Sequence, residues 1–208
     1  MEQDIAILIA DLSGYTALTE THGALSAADL IDKYVEIVNN SLVGQSHLHE
    51  RVGDEVMIVS ESPDDLLSTA VVLLQKVIRE YNFLHIHGAL HYGKILKRNN
   101  SLFGSTLNLT SRIAAKAPAG IFLCSKDFLN AVESKNSYSF KPIGTHSFKN
   151  VTEESEVFEI EVEKPENLHV DPVCRMLLTD PGKRISHPFQ PDLFFCSTNC
   201  LETFMERQ

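Results

Sequence analysis

Apolar residues run without a break from Ile5 to Ala10 and stop at Asp11. A short, continuous apolar run reads as a strand buried on both faces. Ser13-Gly14 interrupts it, and Tyr15–Leu18 opens a short helix. A second helix starts at Ser26, with Asp29 three positions on in a capping-box-like pair. Leu30, Ile31, Tyr34, Val35 and Val38 then recur at helical spacing, and Gly44 ends the run. Residues 46–60 predict two strands around Gly53-Asp54, a hairpin signal. Ser62-Pro63 supplies an N-cap followed by proline at the first helical position. The helix behind it carries Leu66, Leu67, Ala70, Val71, Leu74, Val77 and Ile78 on one side. The pattern continues with a strand at 83–91, a helix at 107–115, a strand at 120–124 and a helix from the Ser125 cap to Val132. Three closing strands are predicted at 138–140, 146–148 and 156–162.

That order predicts an α+β fold: a split βαβ, ferredoxin-like sheet with helices on one face. The composition shifts to a linker at 164–168, so residues 1–163 form one domain and 169–208 a small cysteine-containing module. The 208-residue length suits one domain plus a smaller one. Apolar residues at 43% and charged residues at 22% are globular values and exclude a disordered or fibrous chain. The net charge of −10, with no Lys/Arg cluster, argues against a duplex nucleic-acid partner. No apolar run is long enough for a membrane span or a signal segment, which sets a cytoplasmic location as the expectation. In that setting the cysteines at 124, 174, 196 and 200 point to metal or redox chemistry rather than disulfides.

Three segments carry candidate chemistry. Asp11 ends the first strand, where a carboxylate suits a hard cation, and the amides of Gly14, Tyr15 and Thr16 open a helix where phosphate binds well. Asp54 sits in the hairpin turn Gly53-Asp54. Asn108 and Arg112 lie four apart on one helix face, an amide suited to a sugar and a guanidinium suited to phosphoryl charge. Each also has an ordinary reading: turn chemistry for the aspartates, a solvated helix face for the other two.

Together, IADLSGYTALTE, ERVGDEVMIVS and LFGSTLNLTSRIAAKAPAGIFLCS resemble the class III adenylate/guanylate cyclase catalytic domain across about residues 4–163. The resemblance implies cyclisation of a nucleoside triphosphate at a homodimer interface. It implies that Asp11 and Asp54 hold two Mg²⁺ or Mn²⁺ ions, that Asn108 orients the ribose and that Arg112 stabilises the transition state. Lys149 matches a triphosphate-binding lysine, and Gly14, Tyr15 and Thr16 match the phosphate loop. The base pocket departs from the adenylate pattern. Glu50 stands where adenylate cyclases usually carry Lys, and a carboxylate there suits the N1–H and N2–H of guanine. Its partner position is Ser101, compatible with either base.

Residues 169–208 contain DPVCRM and then FFCSTNC, and resemble the YHS domain, a module associated with heavy-metal handling. Cys196 and Cys200 lie four apart on one face of a short helix, and Cys174 comes from a separate strand or turn. Three thiolates suit Zn²⁺ or Cu⁺, with His187 as the candidate fourth ligand; the alternative is a small core of inert cysteines. Cys124, in an apolar strand, reads as core, and His85 and His87 share one strand face.

The expectation is a purine nucleoside triphosphate cyclase acting on GTP or ATP, with a metal- or redox-responsive C-terminal module. Two alternatives stand beside it. One is a cyclase-fold nucleotide binder with little or no turnover; the other is a metal sensor that uses the fold as a dimer scaffold.

Overall fold

The computed structural model describes residues 2–99, 101–149, 151 and 154–207. The chain opens with β1 (Glu2–Ser13) and α1 (Tyr15–Asn39), followed by β2 (His47–Val52), β3 (Glu55–Ser60), α2 (Pro63–Arg79) and β4 (His85–Arg98). Next come β5 (Ser101–Phe103), α3 (Ser105–Ala114), β6 (Phe122–Ser125), α4 (Lys126–Ala131), β7 (Ser139–His146) and β8 (Ser155–Glu161). The main sheet runs β2-β3-β1-β4-β6-β8-β7, with β5 folded back on β4. β4 and β6 are parallel, and the other pairs are antiparallel.

The unbroken apolar run of β1 follows from its central place. Ala6, Leu8, Ala10 and Leu12 face one core with α1, α2 and α4, while Ile5, Ile7 and Ile9 face a second core with Ile113 and Ala114 of α3. Helices therefore cover both faces of the sheet, not one. A single-sided sheet would leave three isoleucines in water, each costing about 1.5–3 kcal/mol relative to burial.

Local chemistry sets most boundaries. The Ser62 and Ser125 side chains accept the N–H groups of Asp65 and Phe128 and cap α2 and α4. α1 is broken at Gly23, with φ 82° and ψ 168°, so the second helical segment starts before Ser26 rather than at it. α1 ends at Asn39, ahead of Gly44, and the two predicted strands at 138–140 and 146–148 belong to β7 and the turn that follows it.

After residues 162–168, which form neither helix nor strand, come two small antiparallel pairs and a helix. β9 (His169–Val170) pairs with β10 (Leu177–Leu178), and β11 (Ile185–Ser186) with β12 (Phe194–Phe195). α5 (Thr198–Glu206) closes the chain, capped by the Ser197 side chain accepting from Cys200 N–H. Val173, Cys174, Phe195 and Cys200 form a third buried cluster. This segment is docked on the main domain. The Leu177 N–H donates to the Phe83 carbonyl at 2.6 Å, its carbonyl accepts from Asn82 N–H at 3.2 Å, and its side chain joins the first core.

Candidate functional site

β1 and β3 are antiparallel and Ala10 pairs with Val56, so the end of β1 runs beside the β2–β3 turn. This brings Asp11 and Asp54 together. Burial and the neighbouring Asp54 carboxylate raise the Asp11 pKa, against the opposing pull of His87 and a hydrogen bond from Leu12 N–H. Glu55 is raised as well, by burial and then by Asp11 and Asp54. Behind them the buried Tyr34 hydroxyl donates to the Ala10 carbonyl at 3.4 Å, and burial followed by these acids holds its pKa well above the usual phenol value. A close carboxylate pair that repels itself in this way has the oxygen donors and the charge that suit a hard divalent cation.

Four residues after Asp11, α1 begins, with Gly14 as its N-cap. Gly14 takes φ 99°, a left-handed conformation that side-chain-bearing residues rarely adopt. A Cβ there would also lie 2.6 Å from the Cβ of Arg175. The first backward helical bond runs from Leu18 N–H to the Gly14 carbonyl. The helix leaves its preceding amides, including those of Tyr15 and Thr16, for an outside acceptor. Ser13 Oγ contacts His87 Nδ1 at 2.9 Å and fixes that ring beside the strand end.

Glu50 and Ser101 come from β2 and β5, 51 residues apart, and line one cleft of about 310 Å³ with His49, Met57, Leu102 and Leu107. A larger cleft of about 600 Å³, between α1 and α2, contains none of the candidate residues. On α3, Asn108 is exposed and Arg112 half-exposed, while Thr106, Thr110, Ile113 and Ala114 face inward. Lys149 is exposed in the turn after Phe148. Among the described residues, no hydrogen bond or ion pair joins Asn108, Arg112 or Lys149 to Asp11 or Asp54.

The C-terminal cysteines do converge. The Cys196 Sγ lies 3.5 Å from the Sγ atoms of both Cys174 and Cys200. The fourth group is His22 of α1, whose Nε2 is 3.6 Å from both Cys196 Sγ and Cys200 Sγ. His187 does not join them. It is buried against Phe195 and Phe204, and its Nδ1 accepts from Phe189 N–H. The fully buried Asp171 carboxylate accepts from the N–H groups of Val173, Cys174 and Cys196, tying both cysteine-bearing loops together. Hydrogen bonding by Cys174, Ser197 and Cys200 lowers the Cys196 thiol to about 7, while burial pushes Cys200 up to about 12. Cys124 is buried in β6, and burial pushes its thiol up to about 12, as befits a core residue.

Sequence reasoning missed His22, and gave Asp171 and Arg175 no role beyond their place in the DPVCRM motif. The Asx-type pattern Asp171-Pro172-Val173 within that motif marks a turn but not its role.

No family model matches the chain. It is 29% identical over 139 residues to an adenylate cyclase of Glutamicibacter nicotianae, a match covering 65% of this chain and 33% of that protein. The chain spans about a third of the length of the curated relatives it matches. Among solved structures, the adenylyl cyclase CyaB from P. aeruginosa superposes with a TM-score of 0.64 at 18% identity, covering 81% of this chain and 98% of that one. The guanylate cyclase domain of RhGC from Catenaria anguillulae, in complex with GTP, gives 0.61 at 18% identity, covering 79% and 100%. The chain thus shares the fold of class III nucleotide cyclase domains. No helix among the described residues is long and apolar enough to cross a membrane.

Proposed function

We propose that the chain is a purine nucleoside triphosphate cyclase that works as a homodimer. The observation that carries this reading is the convergence of Asp11 and Asp54 beside the opened amides at the start of α1. The donor set fits two divalent cations, Mg²⁺ or Mn²⁺, held by Asp11 and Asp54. Such ions supply charge neutralisation at the triphosphate and a lowered pKa at an attacking oxygen.

The chain's own groups do the rest. The amides of Gly14, Tyr15 and Thr16 bind the β- and γ-phosphates. Glu50 accepts hydrogen bonds from the base edge, and Ser101 across the same cleft offers a hydroxyl. In the reaction the ribose 3′-oxygen forms a bond to the α-phosphorus, the α–β bond breaks and pyrophosphate leaves. Asn108 orients the ribose, Arg112 stabilises the charge that develops on the phosphoryl oxygens, and Lys149 steadies the triphosphate. The exposure of Asn108, Arg112 and Lys149 supports their acting on the site of a second copy. Glu50 favours GTP over ATP, because a guanine-matched carboxylate faces no partner on adenine N1.

The test is mass-spectrometric detection of product after incubation with Mn²⁺ and equimolar ATP and GTP. Cyclic GMP in excess is expected, with a loss of at least about a hundredfold in Asp54→Ala. Equal product from that variant would refute the assignment. Nucleotide binding without product from either base would establish a binder that shares the fold.

A further inference from the structure

We propose that His22, Cys174, Cys196 and Cys200 form a tetrahedral Zn²⁺ site that bolts the C-terminal segment to the first helix of the main domain. The four ligand atoms all lie within 4.8 Å of one another. Zn–S bonds of about 2.3 Å and Zn–N bonds of about 2.0–2.1 Å at tetrahedral angles require S···S of about 3.8 Å and S···N of about 3.6 Å. The structure has S···S at 3.5 Å twice and S···N at 3.6 Å twice. A closed set of three thiolates and one imidazole suits a structural zinc, which keeps no position open for substrate.

The surroundings are built for that role. Asp171, wholly buried, holds the backbone of the loop carrying Cys174 and of the strand end carrying Cys196. The Ser197 side chain caps α5 at Cys200. Outer partners of this kind orient ligands and raise metal affinity. The His22 ring is placed by the break at Gly23, which ends the first segment of α1 immediately after it.

The consequence is mechanical. Cys174 precedes Arg175, whose φ of 69° is left-handed and whose stem lies on Gly14 at the mouth of α1. His22 stands in the same helical segment that Gly14 opens. One ion therefore fixes both ends of this contact: the helix that starts at Gly14 and the loop whose Arg175 stem packs on Gly14. The site itself does not rest on the cyclase reading. Its bearing on that reading is that the Arg175 stem packs on Gly14, the first residue of the turn whose amides are proposed to bind phosphate.

The experiment uses the full chain, purified under reducing conditions and stripped of metal. It is titrated with Co²⁺ as a spectroscopic probe and with Zn²⁺ in competition. One equivalent per chain is expected, with thiolate-to-cobalt charge transfer and the intense ligand-field bands of a tetrahedral centre. Cys196→Ser should abolish those bands. His22→Ala, at a half-buried position outside the cores, should keep the fold while weakening Zn²⁺ binding at least about tenfold. His22→Cys should restore binding with added thiolate charge transfer, and His187→Ala should leave the cobalt spectrum unchanged. Zinc should also slow proteolysis within 162–168 in the parent and much less in His22→Ala. Failure to take up Zn²⁺ or Co²⁺, uptake of Cu⁺ alone, or affinity and spectrum unaltered by His22→Ala would each overturn the proposal.

Discussion

His85 and Asp11 are half-buried groups at one end of the sheet, and both are pushed toward their neutral forms. For His85 the cause is first burial, with its ring packed against Gly120, and then the nearby cations Lys164 and Arg175; its pKa falls to about 4. The unfolded chain, with a histidine near 6.5, binds the extra proton first as pH drops. Stability therefore rises with pH across this window, is complete above about 6.5, and declines progressively as pH falls toward about 4. The full effect is about 3 kcal/mol at most. His85→Leu should flatten this slope, as read from urea midpoints across that range. A variant with the parent's slope would assign acid sensitivity to other groups. At this scale the sequence was legible where a residue ends a strong local pattern. Asp11 closes an apolar run and Asp54 occupies a hairpin turn, so both could be picked out before they met. His22 belongs to no such pattern, and its partners lie more than 150 residues away. Only tertiary docking brings them together, so the nearer His187 drew the expectation, while in the structure its ring packs against Phe195 and Phe204 and His22 lies among the cysteines.

Among the elements, α4 shows how one side chain can carry two tasks. Ser125 accepts the Phe128 N–H at 3.1 Å as N-cap, and its Oγ lies 2.7 Å from His91 Nδ1, with both residues buried. Burial lowers the His91 pKa, which suits a neutral ring accepting the serine hydroxyl proton. Ser125→Ala removes a cap and leaves a buried ring nitrogen unpaired. It should cost about 2–3 kcal/mol, above the usual ~1 kcal/mol for an exposed cap. Chemical denaturation of the single variants and of the pair with His91→Phe checks this. In the pair, the penalty for losing Ser125 should shrink to that of the cap. Capping signals of this kind made α2 and α4 legible. Which face of the sheet each helix covers was not. An amphipathic pattern shows that a helix has an apolar side, but not the side of the sheet it seeks. The information lay in β1 itself: Ile5, Ile7 and Ile9 alternate with Ala6, Leu8 and Ala10, so both faces need a cover, and α3 supplies the second.

For the whole molecule, the decisive contact is Leu177. It lies in the C-terminal segment, yet it is fully buried in the main core and exchanges backbone hydrogen bonds with Asn82 and Phe83. An independent module tethered by a linker would place no side chain in its neighbour's core. The composition shift at 164–168 falls within the residues 162–168 that form neither helix nor strand, but it says nothing about docking, because a polar linker is equally needed by a free module and a packed one. Leu177→Ala should therefore destabilise the main domain by about 2–5 kcal/mol, the cost of a buried leucine truncation. The measurement is native-state hydrogen exchange, comparing amides of β1 with amides of β12. If the segment is integral, both groups lose protection together in the variant. If only β12 becomes labile while β1 keeps the parent's protection, the segment opens as a separate unit and Leu177 merely rests on the core. Joint loss would also give the His22–cysteine bolt a thermodynamic role, since an ion bound only by the docked form stabilises the whole chain by mass action.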